Sequence, residues 1–291
     1  MKKDPNIVIL TVTHKDFDDS ALPEGYKVIK VGTALSTPFA NNRGWLSDDT
    51  GDNIAERNPY YCELTACYWA WKNLKNIDYI GISHYRRYFM NYKSDAETFW
   101  ENLITVDKCR KIFKHYKAIM PFYEKKVREW SKDSKTPENA DWSILRDIIF
   151  RDYPEMRSSY DKIRRGPVLT YANMCILSFH DFLCYSSFLF DVLKKYDSEV
   201  KARNIPYLPR VDGYLSETIL PIWISSRFKE SEIYRTDVMN SEQTGWTRKT
   251  LLGKLRVFHS VLCLVRKFQL FKTIHYEKWF RGHFNFKLDN D

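Results

Sequence analysis

The segment Asp78-Tyr-Ile-Gly-Ile-Ser-His-Tyr-Arg-Arg-Tyr-Phe89 combines a short apolar strand with a run of basic and aromatic residues. Tyr79 to Ile82 is predicted to be a strand, and His84 follows at its end. Alternation along an extended chain would place His84 and Arg86 on one face and Tyr85 and Arg87 on the other. In open α/β sheets, ligands bind at the carboxyl ends of the strands. Because guanidinium groups form forked, charge-assisted hydrogen bonds to phosphates, we expect an anionic nucleotide-diphosphate ligand here, with no obligatory divalent metal.

Bulk composition limits the protein to a few classes. The 291 residues fit one α/β domain with an appendage, and 44% of them are apolar, which suffices for a large core. The formal charge of +9 favours anionic partners: a nucleotide, a nucleic acid or an acidic membrane. The aromatic content of 16% suits sugar binding, but most of these rings are expected in the core.

Cysteine spacing and the N-terminus predict a cytosolic protein. The six cysteines include no Cys-x-x-Cys pair and are expected to be reduced thiols, mostly in the core. The first strand begins directly after Met1-Lys-Lys-Asp-Pro5, so no signal peptide is predicted. No apolar run of about 18 residues is present, so no transmembrane helix is expected.

Alternating strand and helix patterns predict an α/β fold with a largely parallel sheet flanked by helices. Strands are expected at 6–13, 27–31, 79–82, 118–121, 168–177 and 233–238. Helices are expected from Asn58-Pro59 onward and over 95–116, 141–153, 180–200 and 213–226. We place one domain at 1–245 and a basic amphipathic extension at 246–291. That extension would lie on an anionic membrane or dock on the core, and the sequence favours neither.

Other polar groups provide candidates for catalysis and binding. Asp212 or Glu217 could deprotonate an acceptor hydroxyl, although helix capping explains Asp212 equally well. Hydrogen bonding to a sugar or nucleotide is considered for further residues, each also consistent with a turn, a core position or a solvated helix face: Asp52, Asn53, Glu63, Thr65, Lys72 and Asn173. There is no P-loop, no Gly-x-Gly-x-x-Gly and no zinc spacing.

The chain resembles a bacterial family from capsular and exopolysaccharide gene clusters, long catalogued as a domain of unknown function. The resemblance covers roughly residues 6–226 and rests on Thr13-His14-Lys15, Gly51-Asp52-Asn53-Ile54, Asn58-Pro59 through Asn73, His84 through Phe89, Asn173-Met174 and Gly213 to Glu217. Some members are assigned as glycosyltransferases, including galactofuranosyltransferases. The commoner family pattern has a basic residue at the position of Thr218, and this departure weakens the role of the Asp212–Glu217 segment.

The resemblance implies a GT-A-like fold and transfer of a sugar, galactofuranose or another hexose, from a UDP-sugar to a lipid-linked oligosaccharide. It implies an enzyme of capsule, exopolysaccharide or O-antigen synthesis, peripheral on the inner face of the plasma membrane, with no cofactor, metal or nucleic-acid partner. His14 and Tyr85 join His84 and the polar residues above as candidate donor-binding residues. The alternatives are a nucleic-acid-binding protein, which the charge permits, and a nucleotide-sugar-binding protein without transferase activity.

Overall fold

The computed structural model describes residues 4–36, 44–91, 98–122, 124–125, 139–165, 168–169 and 171–242. The chain divides into two compact units. The first, Met1–Asn91 with Asn102–Glu242, holds the sheet. The second comprises Tyr92–Glu101 and Gln243–Asp291, of which residues 98–101 are described. The predicted extension at 246–291 therefore lies outside the described residues, as does Cys263.

Strands and helices alternate along the first unit. The strands are β1 (Ile7–Thr13), β2 (Tyr26–Lys30), β3 (Leu46–Ser47), β4 (Tyr79–His84), β5 (Arg87–Phe89), β6 (Ala118–Pro121), β7 (Glu124–Lys125), β8 (Val168–Leu169), β9 (Cys175–Ser178), β10 (Ile233–Thr236) and β11 (Val238–Asn240). The helices are α1 (Asn58–Tyr61), α2 (Leu64–Asn73), α3 (Val106–Ile112), α4 (Asn139–Asp152), α5 (Arg157–Arg165), α6 (Phe179–Ala202) and α7 (Val211–Arg227).

The main path of the central sheet has the order β10-β6-β9-β4-β1-β2-β3. Strand β9 runs antiparallel to both of its neighbours, and the other strands of this path share one direction. The prediction of an α/β fold with a mostly parallel sheet is confirmed. Since β9 runs against β4, its first residues lie beside the last residues of β4, with Cys175 opposite Ile82. The turn before β9 therefore reaches the carboxyl end of β4.

Both faces of the sheet are covered. Alternate residues of β1 point to opposite sides: Val8, Leu10 and Val12 join the core that contains α2, α6 and α7, while Ile7 and Ile9 join the core that contains α3. Ile9 and Leu10 have no exposed surface, and burial of each side chain stabilises the fold by about 1.5–3 kcal/mol. Burial on both faces explains why the strand sequence is continuously apolar rather than alternating.

Four local predictions require correction. The expected strand at 168–177 is divided into β8, a 3₁₀ turn at Tyr171–Asn173 and β9, so Asn173 lies in a turn. The helix expected from Asn58 breaks after Tyr61 and restarts at Leu64. The helix expected over 95–116 is observed only as the shorter α3, which begins after its N-cap Thr105; residues 95–97 lie outside the described residues. Finally, β4 ends at His84 and a tight turn leads into β5, so the expected alternation does not continue through Arg87.

The predictions about cysteines and membrane spans can be compared with the structure for the described residues. Cys62, Cys67, Cys109, Cys175 and Cys184 are free thiols, and three of them are buried. Among the described residues, no helix has the length and apolar character needed to cross a bilayer.

Candidate active site

The turn between β4 and β5 closes over the end of β1. His84 pairs with Arg87 across this hairpin, so Tyr85 and Arg86 form the turn itself. The Tyr85 amide donates to the Val12 carbonyl at 3.0 Å, and the Tyr88 hydroxyl donates to the Tyr85 carbonyl at 2.7 Å. Tyr85 is buried, and these bonds fix the backbone from which the Arg86 side chain extends.

Basic side chains from three distant segments interact with His14 or with the Tyr85 ring. We call Lys15, Arg86, Arg210 and His14 the cationic cluster. The His14 ring meets the Tyr85 ring edge-on at 5.4 Å, and Lys15 Nζ lies 4.9 Å from the centre of the same ring. Arg86 lies 5.5 Å from it. Burial lowers the pKa of His14, and the charges of Lys15, Arg86 and Arg210 lower it further. The cluster is therefore a site of concentrated positive charge.

Glu242 bridges two members of this cluster. Its carboxylate oxygens lie 3.0 Å from Lys15 Nζ and 3.0 Å from Arg86 Nη1. The three side chains are 49%, 35% and 43% exposed for Lys15, Arg86 and Glu242 respectively, and ion pairs with this exposure contribute little to stability. The space between Lys15 and Arg86 therefore accommodates an anionic group, here the Glu242 carboxylate.

His84 is held as a defined tautomer at the carboxyl end of β4. Its Nε2 lies 2.8 Å from the Ala172 carbonyl oxygen. Since a carbonyl only accepts, Nε2 carries the proton and, in the neutral ring, Nδ1 is an acceptor. Burial lowers the pKa of His84, and the charges of Arg87 and Arg86 lower it further. The nearby Glu63 and the bond to the Ala172 carbonyl raise the pKa, but they do not outweigh burial. The neutral imidazole is therefore favoured.

A buried amide holds the Glu63 carboxylate. Asn173 Nδ2 donates to Glu63 Oε1 at 2.9 Å and to Ser216 Oγ at 2.6 Å. The Ser216 hydroxyl in turn donates to the Gly213 carbonyl at 2.6 Å. Asn173 is 3% exposed, while Glu63 is only half-buried. The amide is thus fixed in the interior and the carboxylate that it orients remains accessible.

Unusual backbone conformations concentrate around this network. Ala172 and Asn173 have φ values of 49° and 56°, Cys62 has 51° and Arg210 has 66°. Non-glycine residues seldom adopt positive φ, and such strain clusters at functional sites. Gly213 packs so closely that an added Cβ would lie 3.1 Å from Cys62 Sγ. Tight packing of this kind keeps the strained segments in place.

Four predicted binding residues have local partners away from the cationic cluster. Asp52 accepts a hydrogen bond from the Tyr68 hydroxyl at 3.2 Å, and the Asn53 side chain closes its own turn. Thr65 is fully buried and donates to the Cys62 carbonyl. Lys72 Nζ lies 3.5 Å from the centre of the Trp71 ring. Their roles in ligand binding remain predictions.

The two predicted general bases differ in environment. Asp212 is fully buried, and its Oδ2 accepts a hydrogen bond from the Tyr207 hydroxyl at 2.5 Å. Burial raises the pKa of Asp212 to about 7. Glu217 is half-buried on α7. Arg87 is half-buried and pairs with Asn240 between β5 and β11.

Sequence reasoning did not select four residues that the structure singles out. Lys15 is the second residue after β1, and a basic residue so close to a strand end could have been recognised from the sequence. Arg210 and Glu242 reach the site through tertiary folding alone. Asp48, at the end of β3, is fully buried without a hydrogen bond to either carboxylate oxygen. Burial raises its pKa to about 6, although the nearby Thr65 hydroxyl lowers the pKa.

Comparison with known proteins agrees with this architecture. Residues 8–229 match the family model described as "Domain of unknown function (DUF4422)", and the chain belongs to this family. Its fold is similar to that of the solved apo structure of WbbM, a bifunctional glycosyltransferase, with 25% sequence identity and a TM-score of 0.68. The match covers 82% of this chain but 46% of the WbbM chain. A search of curated proteins found no match. The fold is therefore glycosyltransferase-like.

Proposed function

We propose that the protein is a glycosyltransferase of the GT-A type that uses a UDP-sugar as donor. The observation that carries this proposal is the cationic cluster at the carboxyl ends of β1 and β4. There Lys15, Arg86 and His14 contact the Tyr85 ring, and the charge of Arg210 also acts on His14. A diphosphate would find several charge-assisted hydrogen-bond donors there. The reaction class is supported by the glycosyltransferase-like fold, which the chain shares with the bifunctional glycosyltransferase WbbM. The sugar is galactofuranose or another hexose, in line with the family resemblance.

In the proposed reaction, the cations stabilise the leaving group. The bond between the anomeric carbon and the β-phosphate oxygen breaks, and its electron pair leaves with UDP. Arg86, Lys15 and Arg210 offset the charge that develops on the diphosphate, with Arg87 and His84 close by, so a divalent metal is not required. Tyr85 and His14 position the cations.

The acceptor and the cellular site belong to the same proposal. A lipid-linked oligosaccharide of capsule, exopolysaccharide or O-antigen synthesis would receive the sugar at the inner face of the plasma membrane. The basic residues of 246–291 would attract anionic lipid. Asp52, Asn53 and Lys72 keep their predicted donor-binding roles in this proposal. The buried Thr65 and Asn173 would act through the residues that they hold in place.

A binding and turnover screen tests the function. We expect UDP and UDP-hexoses to raise the melting temperature more than GDP or CMP, and one UDP-hexose to release UDP in the presence of saccharide acceptors. Because fixed cations replace the metal, EDTA should leave turnover undiminished. Turnover that disappears in EDTA and returns with Mn²⁺ would refute the metal-independent mechanism. Salt-dependent binding of DNA or RNA, with no response to UDP, would favour the nucleic-acid alternative.

Glu242→Gln is expected to tighten UDP binding. The change removes the carboxylate that bridges Lys15 and Arg86, so the diphosphate no longer competes with it. We expect an increase in affinity of roughly fivefold, the scale of exposed ion pairs, measured by titration calorimetry at low salt. Glu155→Gln, an exposed change of the same charge on another segment, is the control. Unchanged or weaker UDP binding in Glu242→Gln would show that the phosphates do not use these two cations.

A further inference from the structure

We propose that Glu63 is the general base that deprotonates the acceptor hydroxyl. This inference rests on the proposed glycosyltransferase function and deepens it. A direct displacement at the anomeric carbon needs a carboxylate or imidazole that is accessible, oriented and close to the leaving-group site. Glu63 is half-buried, is oriented by Asn173, and has His84 and Arg210 as charged or polar neighbours.

The break between α1 and α2 gives Glu63 its position. Cys62 has φ 51° and ψ −128°, so the chain turns sharply there and Glu63 becomes the N-cap residue of α2. Asn58 Nδ2 bonds to the Cys62 carbonyl at 2.8 Å and to Thr65 Oγ1 at 3.1 Å, which stabilises the break. An uninterrupted helix would have placed residue 63 inside a helical turn. The strained turn instead brings the carboxylate to the carboxyl edge of the sheet.

The buried amide of Asn173 orients the carboxylate. One N–H of this amide bonds to Glu63 and another to Ser216, so the side chain cannot rotate without loss of both bonds. Because β9 runs antiparallel to β4, Asn173 lies at the carboxyl end of β4, although it is 110 residues away from Glu63 in the sequence. A base that is held by one bond to a buried group retains its other oxygen for a substrate proton. One oxygen therefore fixes the orientation of the carboxylate and the other can accept the proton, as preorganised catalysis requires.

Glu63 lies next to the groups that would receive the diphosphate. It interacts electrostatically with His84 and with Arg210. Arg210 also interacts with His14, which in turn interacts with Lys15 and Arg86. The geometry agrees: His84 Nε2 bonds to the carbonyl of Ala172, the residue before the Asn173 that holds Glu63, and the Arg210 amide donates to the Pro59 carbonyl of α1 at 2.9 Å. The carboxylate is therefore close to His84 and to Arg210. Asp212, by contrast, is fully buried and faces Tyr207.

The proposed transfer is a single displacement at the anomeric carbon. The acceptor hydroxyl oxygen forms a bond to this carbon while its proton moves to Glu63. The bond from the carbon to the β-phosphate oxygen breaks, and the electron pair departs with UDP into the cationic cluster. Inversion of configuration at the anomeric carbon is the required outcome.

Glu63→Gln tests the proposal with the UDP-hexose that the wild-type protein turns over fastest. Gln keeps the shape and the Asn173 hydrogen bond but accepts no proton, so UDP release should fall on the order of 10²–10⁴-fold. Azide needs no deprotonation, so sodium azide should restore UDP release in Glu63→Gln and yield a glycosyl azide. UDP affinity should not fall, because the change removes no positive charge from the site. Glu155→Gln is the matched control, and Glu63→Asp with thermal unfolding checks that the fold persists.

The outcomes separate this inference from the proposed function. A wild-type protein without turnover of any UDP-hexose would remove the proposed function and the base role together. If the wild type is active, near-normal rates in Glu63→Gln would overturn the base role alone. So would a loss that azide does not restore, retention of configuration in the product, or azide-restored losses in Asp212→Asn or Glu217→Gln.

Discussion

Replacement of Arg86 by alanine is expected to reduce sugar transfer by about 10²–10³-fold, the usual effect of removing one group that stabilises developing charge. Arg86 extends from the hairpin turn into the cationic cluster, where its guanidinium contacts Glu242 and lies over Tyr85. The measurement is steady-state UDP release with the preferred UDP-hexose, together with UDP affinity. Binding should weaken less than turnover, because the charge on the leaving group is largest in the transition state.

Stability should be nearly unaffected by this change. The Arg86 side chain is 35% exposed and its ion pair with Glu242 is accessible to solvent, so little folding free energy depends on it. Arg227→Ala removes another exposed arginine, paired with Asp181, and is the control. Arg86→Lys should recover only part of the activity because an ammonium group lacks the planar fork. Near-normal turnover in Arg86→Ala would exclude this arginine from the mechanism.

Asp212→Asn is expected to stabilise the protein at alkaline pH and to flatten the dependence of stability on pH. The pKa of Asp212 is about 7 in the folded protein, against an ordinary value of 3.8, because burial disfavours its charged form. The folded state therefore holds a proton that the unfolded state releases between these values. Stability from this group is complete below about pH 4 and is lost as the pH rises to about 7.

The change should be visible in thermal unfolding. The pKa difference corresponds to roughly 2–4 kcal/mol between pH 4 and pH 8, or a difference in melting temperature of roughly 5–10 °C for a domain of this size. Asn keeps an acceptor for the Tyr207 hydroxyl but carries no charge, so the variant should lose this part of the pH dependence. Glu155→Gln, an exposed change of equal charge that does not act on Asp212, is the control. An unaltered pH profile in Asp212→Asn would mean that Asp212 is ionised in the folded protein at neutral pH.

Much of the fold could be predicted from the sequence because it follows from local patterns. The apolar runs of β1, β4 and β6 are buried on both faces, and the amphipathic pattern of α6 matches its packing. The helix expected over 213–226 is observed as α7, and Pro221 lies inside it. Where the prediction was wrong, Cys62 and Asn173 have positive φ, which the periodic pattern does not reveal. At His84 the strand ends in a hairpin turn instead of continuing.

The candidate site was predictable only in part. The sequence singled out Arg86 for catalysis and His84, Glu63 and Asn173 for donor binding, but it placed them on separate segments without contacts between them. It gave no sign that Asn173 would bond to Glu63, 110 residues earlier in the chain. The reversed β9 and the turn before it create that contact, and their direction is not encoded in any local pattern.

The sequence by itself determined the alternation of strands and helices, the apolar core and the excess of positive charge, because these depend on residue type and short-range spacing. The tertiary structure alone decided that Lys15, Arg86 and Arg210 share one site, that Glu242 bridges two of them, and that Asp212 is buried while Glu63 is accessible. The physical reason is that strand order and direction bring together residues far apart in the chain, and these contacts set exposure and charge environment.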